Sequence, residues 1–203
     1  MNCIILISSP GAGKGTVSQY IKDNYNIDHI STGNLLRKKS ETSKEIKDVL
    51  DKGLFVDDNT LINVLEERLK KQKNDFILDG TPRKLSQFSL LEDLFKKYNI
   101  NIKRVIFIDI NFMIALKRIM KRKVCENCNI VYNTNINRCP KCNNILVRRS
   151  DDKVFLYIKR YLLFKKTIRK IIYLYKDKLS VIYNNKDLNY LYKEIDNLIK
   201  GDD

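Results

Sequence analysis

A glycine-rich stretch at residues 8–16, Ser-Ser-Pro-Gly-Ala-Gly-Lys-Gly-Thr, constrains the fold of this chain more than any other. An unbroken apolar run at residues 3–7 precedes it, and Val17, Tyr20 and Ile21 recur at helical spacing after it. A strand, a glycine loop and a helix in this order form the context of a phosphate-binding loop. The order therefore predicts a phosphate site, and the alternative is a plain glycine turn between a strand and a helix.

The residue types in this loop suit the binding of a polyphosphate. Glycines let successive backbone N–H groups turn inward as an anion nest, which lies at the positive end of the following helix. The Lys14 ammonium can reach terminal phosphates, and Thr16 offers a hydroxyl to Mg²⁺.

The length and composition of the chain fit one domain, or one domain with insertions. No stretch approaches the roughly 20 apolar residues of a membrane span. The first apolar run lacks a preceding basic region, so it indicates a buried strand and not a signal peptide. We therefore expect a cytosolic protein.

The formal net charge is +15, and three interpretations of it are open. One is a nucleic-acid partner, the second is a small substrate with several phosphates, and the third is compositional drift. Basic residues are spread along the chain and form no single arm or stripe, which favours drift combined with phosphate ligands.

Strands and helices alternate along the whole chain, as in an open parallel α/β sheet. Apolar runs predict strands at 2–7, 27–30, 76–78, 105–108 and 180–183, and periodic segments predict helices at 14–24, 42–52, 60–73, 84–98, 112–121, 151–176 and near the end. We expect a three-layer α/β fold whose central parallel sheet has about five strands. We interpret the lone histidine, His29, as structural.

Four cysteines form the second strong pattern: Cys125, Cys128, Cys139 and Cys142 have the spacing C-x2-C-x10-C-x2-C. Two such knuckles can close a tetrahedron of thiolates around Zn²⁺, with no position left for water. The spacing therefore predicts a structural zinc ribbon. Iron in the same site, disulfides or an empty site are the alternatives, and disulfides are disfavoured in a cytosolic chain.

Basic and acidic side chains outline further phosphate contacts. Asp79 follows a predicted buried strand and can order Mg²⁺ water, while Arg83 and Arg37 can hold a second phosphate group. Arginines also bracket the cysteine segment, as a phosphate clamp on a movable element requires; they are Arg118, Arg122, Arg149 and Arg160. No serine–histidine or cysteine–histidine pair is evident, so we expect phosphoryl transfer by positioning and charge neutralisation.

With these motifs the chain resembles adenylate kinases that carry a zinc-containing lid, along nearly its whole length. The matching stretches are residues 10–16, 30–33, 78–83 with Gln87, 125–142 and 149–152. The resemblance implies a P-loop nucleotide kinase fold and reversible, Mg²⁺-dependent transfer of the ATP γ-phosphoryl group to AMP, giving two ADP. It also implies a monomer without nucleic-acid or membrane partners.

The resemblance also implies a role for each matching residue. ATP would be bound by Gly11, Ala12, Gly13, Lys14, Gly15, Thr16, Arg118 and Arg122. AMP would be bound by Thr32, Gly33, Arg37, Val56, Gly80, Arg83, Gln87, Arg149 and Arg160, with Gln87 at the base edge. The catalytic set would be Lys14, Arg83, Arg122, Arg149 and Arg160, and Thr16 and Asp79 would hold Mg²⁺ through water.

The implied domains are a core, an AMP-binding flap and a zinc lid, which close over the substrates and exclude water. The core would comprise residues 1–30, 61–120 and 153–203, the flap residues 31–60 and the lid residues 121–152.

Six positions depart from the family pattern. They affect the expected catalytic rate and the choice of the nucleoside monophosphate that accepts the phosphoryl group. They are Ser8, Asn34, Asp57, Thr81, Lys84 and Lys121. Ser8 fits the loop only where its backbone does not need a positive φ. A kinase for CMP, UMP or dTMP is the alternative that Thr81 motivates, although the Gln87 amide can pair with an adenine edge. A third hypothesis is a zinc-ribbon nucleic-acid binder with a vestigial nucleotide fold.

Overall fold

The computed structural model describes residues 1–128, 130–133, 135–149 and 152–201. Two residues of the motif at 149–152, Ser150 and Asp151, lie outside the described residues.

The chain forms eight strands and eight α-helices in the described ranges. The strands are β1 (Asn2–Ser8), β2 (Asp28–Ser31), β3 (Phe76–Asp79), β4 (Asn101–Asp109), β5 (Lys123–Cys125), β6 (Val131–Tyr132), β7 (Leu146–Val147) and β8 (Leu179–Tyr183). The helices are α1 (Lys14–Tyr25), α2 (Thr32–Ser40), α3 (Lys44–Asp51), α4 (Asp58–Leu69), α5 (Leu85–Lys97), α6 (Phe112–Lys121), α7 (Val154–Leu174) and α8 (Leu188–Lys200).

Five parallel strands form the central sheet, in the order β2-β3-β1-β4-β8. The predicted parallel sheet of about five strands is therefore confirmed. The central strand β1 is buried on both faces, as its continuous apolar sequence predicts. Cys3, Ile5 and Ile7 contribute to one hydrophobic core, while Ile4 and Leu6 contribute to the other.

Helices cover both faces of this sheet and complete three layers. Residues of α4, α5 and α7 fill one core, and residues of α1, α6 and α8 fill the other. Helix boundaries differ from the prediction by a few residues. Helix α4 begins after the capping side chain of Asp57 and ends at Leu69, four residues earlier than its pattern suggested. The following turn is held by the Gln72 side chain, which donates to Asp28 and to the carbonyl of Asn74.

Two smaller elements project from the core. Helices α2 and α3 with the start of α4 share a separate cluster built on Leu36, Ile46, Val56, Leu61 and Val64. Strands β5, β6 and β7 form a three-stranded antiparallel sheet in the order β6-β5-β7. No helix within the described ranges is long and apolar enough to cross a membrane.

Candidate active site

The glycine loop follows β1 at the carboxyl edge of the parallel sheet, where ligands of such sheets bind. Gly11 and Gly13 have left-handed backbone conformations, with φ of 82° and 86°. Ser8 is the last residue of β1 and is not among the described residues with positive φ. The loop therefore curls through Gly11 and Gly13, and the serine at position 8 fits without strain.

Buried polar side chains from distant parts of the chain brace the loop. Ser9 is fully buried, and its hydroxyl donates to the Asp109 carboxylate at the end of β4. The Asn184 amide, also fully buried, donates to the Ala12 carbonyl at 2.8 Å. A Cβ atom on Gly13 would lie 3.0 Å from this amide nitrogen, so the loop requires glycine there. No local pattern predicted these braces, because the partners are 100 and 172 residues apart.

Lys14, the loop lysine, forms an ion pair with Asp79 at the end of β3. Asp79 also has its second oxygen 3.2 Å from His29 Nε2. Burial alone would raise the pKa of Asp79, but Lys14 and the His29 contact outweigh it and hold the pKa well below its usual range. Burial lowers the pKa of Lys14, and Asp79 opposes that effect. His29 is therefore a partner of Asp79, and the depressed pKa keeps Asp79 an anion beside the loop at neutral pH.

A second group of predicted residues lies across from the loop, around the end of β3. Thr32 is buried, and its hydroxyl donates to the Asp79 carbonyl at 3.0 Å. Thr81 is buried as well, and its hydroxyl donates to that of Thr32 at 3.3 Å. A Cβ atom on Gly80 would lie 2.6 Å from the Thr32 hydroxyl, and Gly80 has a φ of 96°. Only glycine allows the two segments to approach this closely.

Two arginines flank this group on opposite sides. The Arg83 side chain donates from Nε to the Gly80 carbonyl at 2.8 Å, and its guanidinium lies 5.5 Å from the centre of the Phe55 ring. The Arg37 side chain donates to the Asn34 amide oxygen and lies over Gly33. Asn34 therefore orients a guanidinium without neutralising its charge.

Four cations, Lys14, Arg37, Arg83 and Arg160, form one electrostatic group near the glycine loop. Arg37 and Arg83 both lower the pKa of Lys14, after the larger effect of burial. Arg160 on α7 lies beside Gly53, at 3.9 Å from an ideal Cβ there, and its charge also acts on Arg83. Clustered cations of this kind repel one another unless an anion lies between them. The carboxylate at the end of β3 is such an anion, because it raises the pKa of Lys14 and of Arg83 against the effect of burial. The structure thus brings together cations from the start of α1, from α2, from the segment after β3 and from α7.

Gln87 lies at the start of α5 and is 2% exposed. Its amide oxygen accepts from the Arg83 backbone N–H at 2.7 Å, and its nitrogen donates to Asp58 Oδ1 at 2.9 Å. Val56, 5% exposed, and Phe55 lie beside this region. Neither Asp58 nor Phe55 was predicted as a site residue. No local pattern identifies Asp58 as a site residue, because its partners belong to another helix.

The remaining predicted arginines lie on or directly after α6 and after β7. Arg122 directly follows α6 and makes a two-pronged ion pair with Asp152, including a 2.8 Å bond from Nε. Arg118, on α6, donates to the Lys186 carbonyl at 3.3 Å, and burial lowers its pKa. Arg149 follows β7 and is half-buried. The Arg122–Asp152 pair joins the segment after α6 to the segment before α7.

The four predicted cysteines come together in the three-stranded sheet. Their sulfur atoms all lie within 4.8 Å of one another. A tetrahedral Zn²⁺ with Zn–S bonds of about 2.3 Å requires sulfur separations of roughly 3.8 Å, so the cluster fits such an ion. Tyr132 of β6 lies 3.2 Å from Cys139 Sγ through its hydroxyl, and this contact lowers the pKa of Cys139. A thiolate is the form that a metal ion binds.

Comparison with known proteins places the whole chain in one group. Residues 6–180 match the sequence model of a family described as adenylate kinase. The chain is 35% identical to an adenylate kinase of Archaeoglobus fulgidus over 212 aligned residues, which cover 97% of both chains. It is 34% identical to an adenylate kinase of Bacillus cytotoxicus, with 98% of both chains covered. A relative from Thermosipho melanesiensis is 33% identical over 97% of this chain and 99% of its own.

Proposed function

The chain belongs to the adenylate kinase family, and we propose that it transfers the γ-phosphoryl group of ATP reversibly to AMP through the residues of the cleft described above. The observation that carries this proposal is the cluster of four cations around the glycine loop, contributed by separate elements. The triphosphate of ATP and the phosphate of AMP would bind among these cations, beside the carboxylate of Asp79.

On the donor side, the loop would hold the ATP phosphates. Backbone N–H groups of residues 11–16 would bind oxygens at the start of α1, and Lys14 would follow the transferred group. Arg118 would lie against the ATP adenine, and Arg122 would stabilise charge on the moving group. The Lys14 ammonium now pairs with Asp79, and it would have to share its hydrogen bonds between Asp79 and the bound phosphate.

On the acceptor side, AMP would lie between α2 and the start of α5. Arg37 and Arg83 would bind its phosphate, aided by Arg149 and Arg160, while Thr32, Gly33, Val56, Gly80 and Gln87 would line the nucleoside site. The in-line approach of the two phosphates needs only positioning and neutralisation of charge. No covalent enzyme intermediate is required.

Two segments would move during turnover. Residues 31–60 would form the flap and residues 121–152 the lid. The flap carries Arg37, and the lid carries Arg122 and Arg149. Their closure would exclude water, which would otherwise hydrolyse ATP. The core would consist of residues 1–30, 61–120 and 153–203.

Two metal ions complete the proposal. Mg²⁺ would accompany ATP and would be held through water by Thr16 and Asp79, whose oxygens suit a hard cation. Bound there, it would neutralise phosphate charge. Zn²⁺ would be held by the four cysteines and would stabilise the lid without a part in the chemistry. The remaining expectations are a monomer in the cytoplasm that binds no nucleic acid or membrane.

A coupled assay that offers ATP with AMP, CMP, UMP or dTMP tests the proposal. We expect AMP to have the highest kcat/KM of the four. Thr81, which departs from the family pattern, motivates a pyrimidine nucleoside monophosphate as the alternative acceptor. A higher kcat/KM for CMP, UMP or dTMP than for AMP would refute the assignment of AMP.

A further inference from the structure

We propose that Asp58 is a positioning residue for recognition of the acceptor base, because it fixes the orientation of the Gln87 amide and so selects a base with the hydrogen-bonding pattern of adenine. The inference rests on the proposed function in one respect: it takes Gln87 as the side chain that faces the acceptor base.

The Gln87 amide lies between two backbone donors and one carboxylate acceptor, and the roles of these partners cannot change. The backbone N–H groups of Arg83 and Lys84 can only donate, and their nitrogens lie 2.7 Å and 3.4 Å from the amide oxygen. The Asp58 carboxylate can only accept, and it lies 2.9 Å from the amide nitrogen. Rotating the amide by 180° would set N–H against N–H and oxygen against oxygen. One orientation therefore satisfies all three contacts.

The Asp58 carboxylate is itself held in place by neighbouring groups. The same oxygen, Oδ1, accepts from the Lys84 ammonium at 3.2 Å, and Oδ2 accepts from the Ser86 hydroxyl. Asp58 is the first residue of α4, whereas its three partners belong to the start of α5. Its side chain is 21% exposed, so these partners and not solvent determine its position.

The fixed amide has a chemical consequence. An amide nitrogen has two hydrogens, so one remains for a ligand. The amide oxygen has two lone pairs, and a ligand donor would compete for the second one only with the long 3.4 Å bond from the Lys84 backbone N–H. Adenine offers an acceptor at N1 and a donor at the 6-amino group, which complement this pair. Hypoxanthine has nearly the same size but reverses both, with a donor at N1 and an acceptor at O6. A site with fixed polar groups rejects such a reversed analogue strongly.

Three variants separate orientation of the amide from simple bracing of α4 against α5. Asp58→Ala removes the acceptor, Asp58→Asn keeps a carbonyl oxygen that can accept from Gln87, and Ser86→Ala removes a different bond to the same carboxylate. We expect Asp58→Ala to lower the ratio of kcat/KM for AMP to that for IMP by at least about tenfold. We expect Asp58→Asn and Ser86→Ala to retain the wild-type ratio within about twofold.

A spectroscopic measurement on the nucleotide-free protein tests the orientation without reference to activity. Side-chain amide NMR should show one Gln87 N–H proton shifted by its bond to the carboxylate, and this shift should be lost in Asp58→Ala and retained in Ser86→Ala. An unchanged Gln87 signal in Asp58→Ala, or equal losses of activity with AMP and IMP, would overturn the inference. A wild-type protein that does not phosphorylate AMP would instead contradict the proposed function.

Discussion

Lys14 is the single residue whose charge the proposed reaction needs most directly. It is held beside the loop by Asp79, and it lies in a cluster with Arg37 and Arg83. We expect Lys14→Ala to lower kcat/KM by at least about a hundredfold, since one preorganised contact to developing charge is worth that much. Lys22→Ala, an exposed change on the same helix, is the control. Retained activity in Lys14→Ala, with a far-UV spectrum like the wild type, would contradict the assignment.

Asp79 links the site to stability through pH. Its pKa is depressed in the folded protein, so its contribution to stability is present above the unfolded pKa near 4 and is lost as pH falls through the folded value. We expect Asp79→Asn to lower the free energy of unfolding by about 3 kcal/mol at pH 7, because Lys14 loses its buried partner.

Urea unfolding measured from pH 7 to pH 3 checks this expectation. The difference between wild type and Asp79→Asn should narrow below about pH 4. Asp51→Asn, on the exposed end of α3, should differ little from the wild type throughout. A difference that stays constant over the whole range would show that the charge of Asp79 is not its source.

The three-stranded sheet with the four cysteines is the element whose stability we expect to depend most on one bound ion. Its three strands contain two or three residues each, and its small core consists mainly of the cysteines. We expect the wild-type protein to bind one zinc ion per chain. We expect Cys139→Ser to bind less than one ion per chain and to have a lower melting temperature. Cys3→Ala should retain the full zinc content, because Cys3 lies in the core of the central sheet. A Cys139→Ser protein with unchanged zinc would exclude Cys139 as a ligand.

Elements were predicted well where the pattern is local. The glycine loop and the apolar strands each depend on residues that are close together in the sequence, so their sequences identify them. The partners that complete the site were not predictable. Asp58 meets Gln87 only because α4 and α5 are neighbours in the fold, and Asn184 reaches the loop only because β8 lies two strands from β1. Such contacts depend on sheet order, which a single sequence does not contain.

For the whole molecule, the charge of +15 predicts opposite responses of stability and substrate binding to salt. Self-repulsion destabilises a highly charged fold, and salt screens it, so the melting temperature should rise as NaCl increases. The same screening weakens attraction of anionic nucleotides to the cationic cleft, so KM for ATP and AMP should rise.

Both quantities can be followed in one preparation, by thermal unfolding and by the coupled assay at 50 and 500 mM NaCl. A fall of both KM and the melting temperature with added salt would contradict both predictions, and it would mean that neither the charge of the site nor self-repulsion dominates. The nucleic-acid hypothesis makes a separate prediction, which is salt-dependent retention on DNA or RNA in a protein without kinase activity. The basic residues of the site come from four separate elements and form one compact group. We therefore expect this site to bind nucleotides and not DNA or RNA.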